Sequence, residues 1–140
     1  MPVPSEYQRA TQYFEKFMHD VCEESGLSTS HAAYNMVVGV LHAFRRRLSI
    51  KDALRFANAL PPVLRALYVA DWDADETKQP FQDIATMTKE VKSLRAEHNF
   101  STDTAIHDVA VALRRNIIES DFDQLLSTFP KGASDFWHVK

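Results

Sequence analysis

The chain has 140 residues, of which 45% are apolar and 25% charged, and its net charge is −3. A domain of that size and balance buries ~70% of the surface its unfolded chain exposes, so it needs no metal or disulfide staple to fold. A single cysteine, Cys22, excludes an intrachain disulfide and suits a reducing compartment, and no apolar run approaches the ~20 residues of a membrane-spanning helix. The first residues, Met-Pro-Val-Pro-Ser-Glu, show no signal-peptide pattern, so the expected location is cytoplasmic, with no membrane partner.

With only three glycines, Gly26, Gly39 and Gly132, helices are favoured over tight-turned strands. Ser5 and Gln8 form a capping box that opens a first helix, in which Tyr7, Ala10, Phe14, Phe17, Met18 and Val21 recur at helical spacing. Gly26 is a natural end for it. A second helix is predicted over 30–47, with Ala33, Val37, Val40, Leu41, Phe44 and Leu48 on its apolar face. Ser49 caps a short third helix bearing Ala53, Phe56, Ala57 and Leu60. Pro61-Pro62 stops it and opens a fourth, carrying Val63, Leu64, Leu67 and Tyr68.

Residues 71–80 are acidic, polar and end in proline, and read as a connector. The helical pattern then resumes. Phe81, Ile84, Met87, Val91 and Leu94 form one stripe, and Ala105, Ile106, Val109, Ala112, Leu113 and Ile117 the next. Ser120 with Asp123 caps a short helix bearing Phe122, Leu125, Leu126 and Phe129. Pro130 breaks that helix, and Phe136-Trp137 ends the apolar pattern.

The second half restates the first. Sliding by 69 positions lays Val40, Ala43, Arg45, Arg46 and Pro61 on Val109, Ala112, Arg114, Arg115 and Pro130, and nearly every apolar position of 36–68 on one of 105–137. The first helices align at an offset of 73, with Phe14, Met18, Val21 and Leu27 on Met87, Val91, Leu94 and Phe100. The expected fold is all-α: one domain over 1–140, with repeat one at 5–70, the connector at 71–80 and repeat two at 81–138. Each repeat has two longer and one or two short helices, and the two pack as one bundle-like domain with pseudo-twofold symmetry.

The string Val40-Leu41 … Arg47-Leu48 … Ala53 … Leu60-Pro61 … Leu64-Arg65 … Leu67-Tyr68 … Trp72 resembles the bacterial "domain of unknown function 2267" family. The resemblance covers nearly the whole chain, is densest at 33–72, and implies the two-repeat helical fold and a bacterial cytoplasmic protein. The second copy departs from the pattern: Asn116-Ile117 replaces arginine-leucine and Phe129-Pro130 replaces leucine-proline. The resemblance supplies no activity and no catalytic residue to carry over.

Chemical signatures are sparse. No phosphate-cradling glycine loop, His-Glu-x-x-His, Cys-x-x-Cys or Gly-x-Ser-x-Gly occurs. Glu15, His19, Cys22 and Glu23 have metal-ligand spacing, but His19 and Glu23 fall on the wet side of their helix. The remaining histidines, His31, His42, His98, His107 and His138, form no close ligand spacing. Asp71, Asp73 and Asp75 copy the start of a calcium loop, which fails at Glu76 and Gln82. No catalytic, cofactor or metal residue is therefore assigned.

Residues 45–65 carry a net +5 and offer a weak phosphate-binding segment. An acidic chain argues against nucleic acid as the main partner. Consecutive Arg45, Arg46 and Arg47 fan apart on a helix, Arg46 lies opposite the core, and arginines suit a helix C-terminus. Tyr68 and Trp137 read as core-closing aromatics, whereas Trp72, in the acidic loop, reads as an exposed contact. Gly39, inside a helix, lets another helix or chain come close. The function expected is a non-enzymatic interaction or self-associating module, with Trp72, Arg46, Arg55 and Arg65 as partner contacts. The alternatives are a small-ligand or enzyme site at the seam between repeats, and a weak nucleic-acid binder through 45–65.

If the halves are copies, Leu60 and Phe129 fill equivalent buried sites before a proline. Leu60→Ala should then cost about 2–5 kcal/mol and Phe129→Ala about 3–5 kcal/mol, each with one cooperative transition in denaturant melts. A Phe129→Ala loss no larger than that of an exposed-residue change, about 0.5 kcal/mol, would contradict the repeat.

Overall fold

The computed structural model describes residues 3–95, 97 and 99–139; His98 lies outside them. Among the described residues there are nine helices and no strand: α1 (Ser5–Gln8), α2 (Ala10–Ser25), α3 (Ser30–Arg45), α4 (Ile50–Asn58), α5 (Pro62–Val69), α6 (Ile84–Ser93), α7 (Ala105–Arg115), α8 (Glu119–Ser127) and α9 (Lys131–Phe136). Local signals set most of these bounds. Ser49 accepts from the Asp52 amide and Asp83 from the Thr86 amide, each satisfying an N-terminal N–H that the helix itself cannot. Gly26 ends α2 in the left-handed region at φ 80°.

Four expectations shift. Ser5 lies inside the first helix behind Pro4 and no side-chain cap bond forms, so Ser5 and Gln8 make no capping box. The first helix is broken at Arg9 into a single turn and α2, so Tyr7 does not continue the stripe of Phe17, Met18 and Val21 and stays exposed. α3 is capped by Thr29 and ends at Arg45, so Arg46 and Arg47 lie beyond its last turn. α8 begins at Glu119 behind Ile118 with no side-chain cap, so Ser120 does not cap it.

The longer helices pack crosswise. α2 lies on α7 and α6 lies on α3, while α3 also meets α2, α5 and α7. Gly39 is where α3 and α6 come closest: a Cβ there would sit 2.9 Å from the Val91 carbonyl oxygen. The close approach expected of that glycine is therefore to a helix of the same chain. Most of the stripes read from spacing enter the core, with Val37, Val40, Phe44, Val91, Val109 and Ala112 all fully buried, but Ile84, placed on the stripe of Met87 and Val91, is exposed.

At the centre, aromatic rings from both halves meet. Phe44 lies 4.6 Å from Phe56 and 5.3 Å from Trp137, centroid to centroid, and Phe56 lies 5.8 Å from both Phe122 and Trp137. Tyr68 and Trp137 close this core as expected, and both are fully buried. The Tyr68 hydroxyl donates to the Ala53 carbonyl at 3.0 Å, and burial pushes its pKa up. The interior of the seam is thus filled by packed rings.

Candidate functional site

The cationic segment was the strongest charge signal in the sequence, and the fold buries two of its six cations. Arg45 and Arg47 are 3% and 2% exposed, against the expectation that they flank a solvated helix end. Arg45 donates through Nη1 to the carbonyls of Tyr68 (2.7 Å) and Ala70 (3.1 Å), and its guanidinium lies 5.3 Å from the Trp72 ring. His42, one turn earlier, holds the Leu67 carbonyl at 2.9 Å. Its Nε2 must carry the proton, because a carbonyl only accepts. Burial pushes the His42 pKa down, which favours this neutral form. Together His42 and Arg45 satisfy the orphan carbonyls at the end of α5.

Arg47 binds across the molecule. Its Nη1 donates to the Ala43 carbonyl at 2.7 Å, and its two terminal nitrogens reach the two Glu90 carboxylate oxygens at 3.1 Å each. Nη2 also donates to Gln82 at 3.0 Å. Arg46, read from the sequence as free of any core role, shares Glu90 at 3.1 Å and lies 3.8 Å from Glu76. Burial by itself raises the Glu90 pKa, but the hydrogen bonds and charges of Arg47 and Arg46 outweigh it, leaving the carboxyl below its ordinary value of 4.5.

The other sequence candidates are also engaged within the chain. Arg55 pairs with Asp52 at 3.2 Å and donates to Thr128 at 2.9 Å, with its guanidinium 5.2 Å from the Phe129 ring. Arg65 donates to the carbonyls of Ala57 and Leu60, satisfying the end of α4. Trp72 is half-buried against Tyr68 and the core. Of the six cations in 45–65, Lys51 alone has no partner among the described residues. Trp72, Arg46, Arg55 and Arg65 therefore form no single exposed patch. On α2, His19 and Glu23 are exposed and 3.5 Å apart, and no group of three metal-binding side chains occurs among the described residues.

A cleft lies at one edge of the seam. It has a volume of about 350 Å³ and separates the α4–α5 turn from the α7–α8 turn. Ala59, Leu60, Pro61 and Pro62 line one wall; Asn116, Ile117, Ile118, Asp121 and Phe122 line the other; Glu6, Tyr13 and Asn58 complete it. Ile118 is 68% exposed, the most exposed large apolar side chain described. No lysine or arginine lines the cleft, while Glu6 and Asp121 are exposed carboxylates with no partner among the described residues. Asn116 is anchored: Nδ2 donates to Asp20 at 2.9 Å and to the Ala112 carbonyl at 2.7 Å, and Oδ1 accepts from Lys16. The sequence reading missed Glu6, Asn58, Ile118 and Asp121. The one available signal was Ile118, an isoleucine in a turn off every helical stripe.

These features define an all-helical domain with a packed aromatic interior, buried arginine anchors and an open acidic-apolar cleft. No helix among the described residues is long and apolar enough to cross a membrane. The chain belongs to the family described as "Uncharacterized conserved protein (DUF2267)", whose family model matches residues 14–136. No curated protein matches it in sequence.

Glu90 gives a pH prediction. Its folded pKa lies below the unfolded one, so its contribution to stability is complete above about pH 4.5 and is lost as pH falls through the folded value. Glu90→Gln should lower stability at pH 7 by about 2–3 kcal/mol, because it leaves the Arg47 charge buried, and should flatten the acid limb of the stability curve. Denaturant melts from neutral to acid pH check this; an acid limb identical to that of the parent chain would contradict it.

Proposed function

We propose that this protein is a non-enzymatic protein-interaction module. In this reading it is built from two copies of one helical unit, over 5–70 and 81–138, and a partner segment binds in the cleft where turns of the two copies meet.

What supports the repeat is the recurrence of anchors as well as helices at an offset of 69. α4 and α8 both have nine residues and start at 50 and 119. Arg45 donates to the Tyr68 carbonyl, and its counterpart Arg114 donates to the Trp137 carbonyl at 2.9 Å. Arg47 and its counterpart Asn116 each donate to a carbonyl four residues back, on Ala43 and Ala112. Each also crosses to the first long helix of the other half: Arg47 to Glu90 on α6, and Asn116 to Asp20 on α2. This exchange is what a pseudo-twofold pair of units would produce.

The observation that carries the binding role is the cleft itself. Its exposed Ile118 and Tyr13 and half-buried Pro61 and Pro62 offer apolar area at a polar rim. An open cleft with exposed walls suits a chain segment laid across it better than an enclosed small molecule.

Selection of a displayed library of short random peptides on the full chain tests this. Selected peptides should slow amide exchange in residues 58–62 and 116–122, and Ile118→Asp should abolish their binding without lowering the melting temperature. Failure to select any peptide, or protection confined to another surface, would overturn the reading. So would a dimer in light scattering whose interface buries the cleft, since the occupant would then be a second copy.

A further inference from the structure

The two sides of the seam differ in one respect that identifies the guest. On one side, α4 of the first half faces the α8–α9 turn of the second, and Arg55 fills the space between them. It pairs with Asp52, donates to Thr128 and lies over the Phe129 ring. The cleft is the counterpart on the other side, 69 positions on or back. Asp121 stands for Asp52, so the carboxylate is kept. Gln124 stands for Arg55, and Ala59 and Leu60 stand for Thr128 and Phe129. The cation has gone, the opposing wall is smaller, and the cleft lies between Asp121 and that wall, with the exposed Gln124 outside its lining.

We infer that the cleft takes an arginine side chain from a protein partner, flanked by apolar residues, in the position that Arg55 occupies across the seam. The inference rests on the two-unit, cleft-binding reading above and adds the chemistry of the guest. Charge complementarity points the same way. Asp121 and Glu6 have no partner among the described residues, and no lysine or arginine lines the cleft; Lys16 is bonded to Asp20 and Asn116, and Arg115 to Glu24. The positive end of α8 also faces the cleft, but Glu119 and Asp121 in its first turn offset it.

Arginine fits better than lysine. A planar guanidinium can bond a carboxylate and an amide oxygen together while lying flat on an apolar wall, as Arg55 does on Phe129. Leu60, Pro61 and Pro62 give that wall, and Ile118 gives the flanking apolar contact.

The peptides that protect the cleft supply the test. They should share an arginine beside an aliphatic or aromatic residue, and binding should weaken with added salt. Replacing that arginine with citrulline, which keeps the shape and loses the charge, should weaken binding roughly tenfold. Asp121→Asn should do the same, and the two changes together should cost little more than either alone. Gln124→Arg places a cation in cis beside Asp121, as Arg55 stands beside Asp52. It should weaken the peptide by a similar factor and leave the melting temperature unchanged or raised, while Gln124→Ala should bind as the parent chain does. If cleft-bound peptides lack arginine, or citrulline and Gln124→Arg leave affinity unchanged, the inference is wrong and the cleft reading stands. If no peptide seats in the cleft, both fall.

Discussion

Phe44, Phe56, Phe122 and Trp137 meet at one place, and the rest of the molecule is arranged around that contact. Phe44 and Phe56 belong to α3 and α4, Phe122 to α8, and Trp137 follows α9, so rings from both halves share a single cluster. Burying a large apolar side chain contributes about 1.5–3 kcal/mol, and a favourable aromatic pair adds about 0.5–1.5 kcal/mol. Separating the halves would expose these rings at once. Neither half is large enough to replace that burial, because short chains hide too little of their surface. The rings fill the centre, and the cleft of about 350 Å³ lies at one edge of the seam.

Polar side chains set the geometry around the rings. His42 and Arg45 hold the carbonyls at the end of α5, and Arg114 holds that of Trp137 after α9. Arg47 with Glu90 and Asn116 with Asp20 tie the turns after α3 and α7 to the facing long helices. For Asp20, as for Glu90, burial alone raises the pKa, and hydrogen bonds, here from Lys16 and Asn116, outweigh it and lower it. These groups orient the α7–α8 turn, and with it Asp121 and Ile118. Arg65 does the same for the α4–α5 turn by binding the carbonyls of Ala57 and Leu60. Both walls of the cleft are therefore held by side-chain hydrogen bonds within the chain.

Much of the fold was legible because amphipathic helices advertise their buried face through spacing. Val37, Val40, Leu41 and Phe44 recur at helical intervals, and so do Ile106, Val109 and Leu113; all are buried. Tyr68 and Trp137 were legible as core for the same reason. Arg45 and Arg47 were not. Their partners come from α5 and α6, dozens of residues away, and local position alone makes an arginine at a helix end look solvated. Trp72 misled in the opposite direction, since its acidic neighbours are exposed while its own ring packs against Tyr68 and Arg45. The cleft was illegible in a deeper sense. It is space left between two turns far apart in sequence, and no periodicity encodes where packing stops.

The central claim is that one aromatic seam makes the two halves a single cooperative unit. Native-state hydrogen exchange, followed as denaturant is added, tests it most directly. The slowest amides of α3 and α7 should open with the same free energy and the same denaturant dependence, because both can exchange only when the seam is lost. If the amides of α7, α8 and α9 open at lower free energy while those of α3 stay protected, the halves are separate units and the account is wrong.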